Sequence, residues 1–153
     1  NMIEERGESD GSIDYINTYF YDSNGNKTKA SYDNDADGTP DSINTYTFDA
    51  NGHRSYSAYD DNADGTTDRS QNWNYDINGN LLGYDSDTDG DGIPDRITTS
   101  SYDSDGREIL YSHDSDGDGN PNSIINYTYD ADGNVIVDSW DSNADGSPDN
   151  IYI

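Results

Sequence analysis

The chain contains no cysteine, only seven lysines and arginines, and very few aliphatic side chains. Without cysteine there are no disulfides and no thiolate zinc sites. Leu, Ile, Val and Phe make up 20 of 153 residues, about 13%, below the level at which a highly charged chain normally sustains a core. No apolar run approaches the length of a membrane-spanning helix, and no signal peptide is visible at the N-terminus. The 33 acidic side chains give a formal net charge of -26. That field repels phosphate backbones and anionic lipid, which argues against nucleic acid and membrane partners. Composition alone predicts a chain that is disordered or is held together by something it does not itself contain.

What is present is periodic. Asp-Gly recurs at 10, 37, 64, 91, 118 and 145, a spacing of 27 residues each time. A second series, Tyr21, Phe48, Tyr75, Tyr102 and Tyr129, keeps the same period, each followed by Asp and then by Gly25, Gly52, Gly79, Gly106 and Gly133. A disordered tail has no reason to hold register, so the chain is read as one structural array over 1–153. It amounts to about 5.7 units of 27 residues, expected to be cut from a longer protein.

Each unit divides into an acidic loop, a strand-like run such as Ile43–Phe48, a turn such as Asp49-Ala50-Asn51-Gly52, and a second strand-like run. The turn fits a three-residue hairpin loop, a type I turn closed by a left-handed Gly that makes a bulge. Asp22, Asp49, Asp76, Asp103 and Asp130 are placed to cap it. No segment shows a capped 3.6-residue apolar period, so no helix is expected. The predicted fold is all-β: hairpins in a spiral antiparallel array, with a parallel β-solenoid as the alternative. Two aromatic columns, Tyr19/Tyr46/Trp73/Tyr127 and Tyr21/Phe48/Tyr75/Tyr102/Tyr129, lie two residues apart and share a face. They are read mainly as replacement core; the functional alternative is a sugar-binding platform.

The chemistry lies in five loops that read Asp-x-Asp/Asn-x-Asp-Gly-x-x-Asp/Asn. Their candidate ligands are Asp33, Asp35, Asp37 and Asp41; Asp60, Asn62, Asp64 and Asp68; Asp87, Asp89, Asp91 and Asp95; Asp114, Asp116, Asp118 and Asn122; and Asp141, Asn143, Asp145 and Asp149. Alternate acids at positions 1, 3 and 5 can converge on one hard cation, and Gly at position 6 permits the sharp turn. Position 7 offers a main-chain carbonyl from Thr39, Thr66, Ile93, Asn120 or Ser147, and position 9 adds a further oxygen. An all-oxygen donor set selects Ca²⁺ over zinc or copper, and crowded protein cages disfavour Mg²⁺. Without a cation, carboxylates this close repel one another. In the first unit Arg6 stands at position 1, so a sixth site at Glu8, Asp10 and Asp14 is expected to be empty or weak. Loop three also offers a second register beginning at Asp85, and the period favours Asp87.

On these residues the loops resemble the thrombospondin type 3 repeat and the loops of dockerins and EF-hands. Tyr21-Asp22-Ser23-Asn24-Gly25-Asn26 resembles the YD repeats of Rhs-type bacterial surface and toxin proteins. The resemblances imply a secreted or cell-surface bacterial repeat protein. The departures are specific: position 12 is Asn44, Gln71, Thr98, Ile125 or Tyr152 where an EF-hand carries a bidentate Glu, and position 8 is Pro in four loops. The flanks read as strands, which excludes a helix pair opening on calcium.

The expectation is therefore a calcium-binding structural spacer or scaffold that folds only with Ca²⁺, its partners being calcium and neighbouring repeats. A calcium-dependent adhesin taking a glycan or protein ligand is the alternative. His53 and His113 occupy ordinary repeat positions and no unit carries a distinct acid–base pair, so no enzyme is expected.

Overall fold

The computed structural model describes all 153 residues. Twelve strands form an antiparallel sheet whose strand order follows chain order, with no helix. They are β1 (Met2–Ser9), β2 (Ser12–Tyr21), β3 (Lys27–Asp33), β4 (Ser42–Phe48), β5 (Arg54–Asp60) and β6 (Arg69–Tyr75), followed by β7 (Leu81–Asp87), β8 (Arg96–Tyr102), β9 (Glu108–Asp114), β10 (Ser123–Tyr129), β11 (Val135–Asp141) and β12 (Asn150–Tyr152). The array of hairpins is thus observed; the parallel solenoid is not, because equivalent strands do not pair. By packing, the chain divides into a unit of residues 1–71 with 88–91 and a unit of 72–87 with 92–153.

The turns follow from their sequence. Gly25, Gly52, Gly79, Gly106 and Gly133 all have φ between 79° and 89°, and each donates its N–H to the carbonyl of the turn Asp at 3.1–3.3 Å. The register slips where a Gly bulge requires, between Phe20 and Tyr21, Thr47 and Phe48, Ser101 and Tyr102, and Thr128 and Tyr129. The Asp side chain completes the turn: Asp22 Oδ1 accepts from Asn24 N at 2.9 Å and Asn26 N at 2.8 Å.

In the first unit, alternation and register assign the two faces. One carries Tyr19, Tyr21, Tyr32, Tyr46, Phe48 and Tyr59; the other carries Ile16, Thr18, Ser31, Ile43, Thr45 and Ala58. The second unit repeats the pattern, with Tyr102, Tyr111, Tyr127 and Tyr129 opposite Ile97, Ser112 and Ile124. The apolar interior is minimal. Ala30, Tyr46 and Ala58 are the buried hydrophobic residues, while Asp33, Asp87, Asp114 and Asp141 are buried at 4–6% exposure. Tyrosine therefore supplies only part of a core, because most of the rings remain half-buried.

Cations cover much of what the rings leave open. Lys27 Nζ lies 5.4 Å from the Tyr19 ring and 5.5 Å from Tyr46, and the Arg54 guanidinium lies 4.7 Å from Tyr46 on its own account. Arg69 sits 4.2 Å over Tyr59 and Arg107 4.8 Å over Tyr129. A guanidinium over a ring face is attracted by the ring quadrupole and shields its apolar surface. Scarce basic residues are thus spent largely on aromatic rings; Arg69 also pairs with Asp61 of the second acidic loop at 3.0 Å.

Candidate metal centres in the acidic loops

The second strand of each hairpin runs one residue further than its sequence pattern indicates, ending on Asp33, Asp60, Asp87, Asp114 or Asp141. Position 1 of every loop is therefore a strand residue on the isoleucine-bearing face. The chain then folds back over that face. Gly38 and Pro40 line a cleft with Ile16, Thr18, Ser31 and Asp33, and Gly65, Thr66 and Thr67 line another with Ile43, Thr45, Ala58 and Asp60.

One hydrogen-bond scheme recurs. The position-1 carboxylate accepts the N–H of the position-6 glycine: Asp33 from Gly38 at 3.0 Å, Asp60 from Gly65 at 2.9 Å, Asp87 from Gly92 at 2.9 Å, Asp114 from Gly119 at 2.8 Å and Asp141 from Gly146 at 2.8 Å. At Asp33, Asp87, Asp114 and Asp141 these amides substitute for water at a buried carboxylate. Position 5 accepts from position 7, as Asp37 does from Thr39 N at 2.8 Å and Asp118 from Asn120 N at 2.8 Å. The Thr39 hydroxyl and amide hold the Asp37 carboxyl below the usual carboxylate range, and Thr66 does the same for Asp64.

The structure brings together positions 1, 3 and 5 in two loops: Asp33/Asp35/Asp37 and Asp114/Asp116/Asp118 each place one carboxylate oxygen per residue within 4.8 Å of the others. Asp87, Asp89 and Asp95 form a third such group, which fixes the register of that loop at Asp87; Asp85 lies within β7 and accepts a hydrogen bond from Asn72 at 2.7 Å. Three acidic clusters can thus hold a metal ion. In the loops with Asn62 and Asn143 the amide oxygen accepts the N–H of Asp64 at 3.0 Å and of Asp145 at 3.1 Å.

Position 9 plays a second part. Asp41 Oδ2 accepts from Asn34 N at 2.6 Å, Asp68 Oδ2 from Asp61 N at 2.7 Å, Asn122 Oδ1 from Ser115 N at 2.6 Å and Asp149 Oδ2 from Ser142 N at 2.8 Å. Their own N–H groups bond back to Tyr32, Tyr59, His113 and Trp140. Position 9 therefore clasps the loop shut. The first unit forms no such loop: Arg6 and Glu8 lie in β1, Asp14 lies in β2, and Asp10-Gly11 is a two-residue turn with φ of 51° and 83°.

Electrostatics agree with the crowding. A hydrogen bond with Asp114, then desolvation, then repulsion from Asp118 and Asp114 raise the Asp116 pKa. Burial pushes Asp114 upward, but hydrogen bonds from Gly119, Asp116 and Gly117 outweigh it and the net shift is down. No Lys or Arg forms an ion pair with Asp33, Asp35, Asp37, Asp114, Asp116 or Asp118.

Two features escape sequence reasoning. Position 4 is left-handed in every acidic loop, at Ala36 (φ 56°), Ala63 (53°), Gly90 (75°), Gly117 (67°) and Ala144 (52°); the paired glycines at 90 and 117 were the available signal. A methyl on Gly90 would come within 2.4 Å of the Thr67 carbonyl oxygen, and one on Gly117 within 1.7 Å of that of Pro94. These loops therefore touch the preceding loop through main-chain atoms. The second feature is a hydroxyl ladder: Tyr102 Oη donates to Leu81 O at 3.0 Å and Tyr129 Oη to Glu108 O at 2.7 Å.

No protein-family model and no curated protein matches the chain. Solved structures do. Similar chains occur in a crystal structure of TcdB2-TccC3 without its hypervariable C-terminal region (21% identity, TM-score 0.59, 87% of this chain covered) and in TcdB2-TccC3-TEV (16%, 0.59, 94%). A Photorhabdus luminescens Tc holotoxin pore carrying a TccC3 mutation is similar to the same degree (16%, 0.59, 94%). This chain spans only 6–8% of the length of those chains. At such identity the likeness is one of fold, and it fits the Rhs-type resemblance of the turn elements.

Proposed function

We propose that this chain is a calcium-binding structural module, a spacer or scaffold segment of a secreted or cell-surface protein, whose folding depends on Ca²⁺. The observation that carries the reading is the convergence of Asp33/Asp35/Asp37 and of Asp114/Asp116/Asp118 with no basic side chain to neutralise them. The donors are all oxygen, the set that hard cations take. Asp33 accepts one amide on each oxygen and Asp114 accepts three in all, so of the roughly four lone-pair sites of a carboxylate each leaves at least one for an ion. The hydrogen bond with Asp114, with desolvation and the neighbouring charges behind it, raises the Asp116 pKa, so protons and calcium would compete there.

Calcium also answers the shortage of core. A site of Kd ~0.1 mM at ~2 mM free calcium stabilises by RT ln(1 + 20), about 1.8 kcal/mol. Five loops give about 9 kcal/mol, comparable to the whole stability of an ordinary domain. At cytosolic calcium the contribution is close to zero, so the chain would stay unfolded until export. Thrombospondin-like loops and YD-like turns would then divide the work: the turns set the hairpins, and the loops hold each hairpin to the next.

The test is circular dichroism and thermal melting in calcium and in EDTA, with calorimetric titration of calcium. The expected result is loss of β signal in EDTA and recovery on adding calcium. An unchanged spectrum and melting point, with no heat of binding, would refute the reading.

A further inference from the structure

Three hairpin turns place Asn directly before their left-handed Gly: Asn24-Gly25, Asn51-Gly52 and Asn78-Gly79. These are the only Asn-Gly pairs in the chain. All three Asn residues are exposed, and their side-chain amides make no hydrogen bond. The equivalent position in the two later turns is Asp105 and Asp132, in the same geometry. Nothing about the metal loops explains this division.

We propose that Asn24, Asn51 and Asn78 are sites of spontaneous deamidation whose rate is gated by the turn. In the reaction the Gly nitrogen attacks the Asn Cγ and forms a five-membered succinimide. The bond from Cγ to the amide nitrogen breaks, and ammonia leaves with the proton lost from the Gly N–H. Water then opens the ring at one carbonyl or the other, giving aspartate or isoaspartate. Gly is the favourable neighbour because it has no side chain to hinder the approach.

The folded turn opposes the attack by occupying the nucleophile. Gly25, Gly52 and Gly79 donate their N–H groups to Asp22, Asp49 and Asp76 carbonyls at 3.3, 3.1 and 3.1 Å. Asn24, Asn51 and Asn78 N–H groups are held by the same Asp side chains at 2.9, 2.9 and 2.8 Å. Reaction therefore requires the turn to open, and its rate follows the open population.

The two products differ in consequence. Aspartate reproduces what Asp105 and Asp132 already are, so the turn closes again around it. Isoaspartate routes the main chain through an extra methylene, which displaces the Gly from its bulge position. The array thus tolerates one product and is broken locally by the other.

The experiment is peptide mapping by mass spectrometry after incubation of the full chain at mildly alkaline pH, folded and in urea. The expected result is amide-to-acid conversion concentrated at Asn24, Asn51 and Asn78, about tenfold slower in the folded chain. Asp22→Ala should bring Asn24 toward its rate in urea while Asn51 and Asn78 keep the folded rate. Asn51→Asp should leave the circular dichroism spectrum unchanged. Equal rates in folded and unfolded chains, or conversion spread over asparagines not followed by Gly, would overturn the proposal.

Discussion

Replacing Gly117 by Ala tests whether consecutive acidic loops bear on one another. A methyl there would lie 1.7 Å from Pro94 O, 2.7 Å from Pro94 C and 3.2 Å from Asp95 C, all main-chain atoms that no rotamer change can move. The residue also has φ of +67°. Holding an L-residue left-handed costs roughly 1–2 kcal/mol, offset by about 0.4–1 kcal/mol from a stiffer unfolded chain. The forced contact adds about 1–3 kcal/mol, as overpacking generally does. Gly117→Ala should therefore lose about 1.5–4 kcal/mol, which for a chain of this size lowers Tm by roughly 3–16 °C. Ala144 occupies the same loop position at φ 52°. Ala144→Gly should gain about 0.5–1 kcal/mol, because only the conformational contribution and the unfolded-state offset are in play. The assay is thermal melting of both variants in calcium-containing buffer, followed by circular dichroism. If Gly117→Ala melts with the parent, the two loops do not touch and the reasoning fails.

Other outcomes follow from the same contacts. Asp116→Asn should remove one site from the calcium stoichiometry measured by calorimetry, and lowering the pH should weaken calcium binding in the parent, since Asp116 has a raised pKa and its proton competes with the ion. Tyr129→Phe should cost about 0.5–1.5 kcal/mol in a melting experiment, the usual worth of one hydrogen bond, because it deletes the 2.7 Å bond to Glu108 O. Asp130 has its pKa lowered first by the Asn134 side chain and then by main-chain amides. A carboxyl depressed in the fold contributes stability above its unfolded pKa and loses it as pH falls through the folded value. The Tm gap between parent and Asp130→Asn should therefore be widest near neutrality and close in acid; a gap independent of pH would contradict the assignment.

The hairpins were legible because local chemistry sets them. Asp22-Ser23-Asn24-Gly25 can satisfy its own amides within a few residues, so the turn, its bulge and the register of β2 on β3 follow from the string alone. The acidic loops were legible as to residue type and only partly as to placement. Asp33 reads as the first loop residue but is the last residue of β3, buried on the isoleucine face. Asp41 reads as a ligand, yet one of its oxygens is turned onto Asn34 N. The basic residues carry no sequence signal at all. Lys27 reaches Tyr19 on its partner strand β2 and Tyr46 on β4, a meeting that exists only once three strands are side by side.

The sequence by itself determined the period, the antiparallel hairpins and the acidic spacing of each loop, because turns and loop spacing are properties of a few consecutive residues. Tertiary structure decided which carboxylates converge, which are occupied in closing a loop, and how little of tyrosine is actually buried. Those depend on how each loop folds back and meets the loop before it, as Gly117 meets the Pro94 carbonyl 23 residues earlier, or on faces defined only by pairing. The deficit of aliphatic side chains stands in the folded chain as it did in the bare sequence: three small patches of burial, at Ala30, Tyr46 and Ala58, beside four buried aspartates. A sheet with so thin an apolar layer has its strands held by ladders, rings under cations, and loops of which three bring together carboxylates that can hold a metal ion.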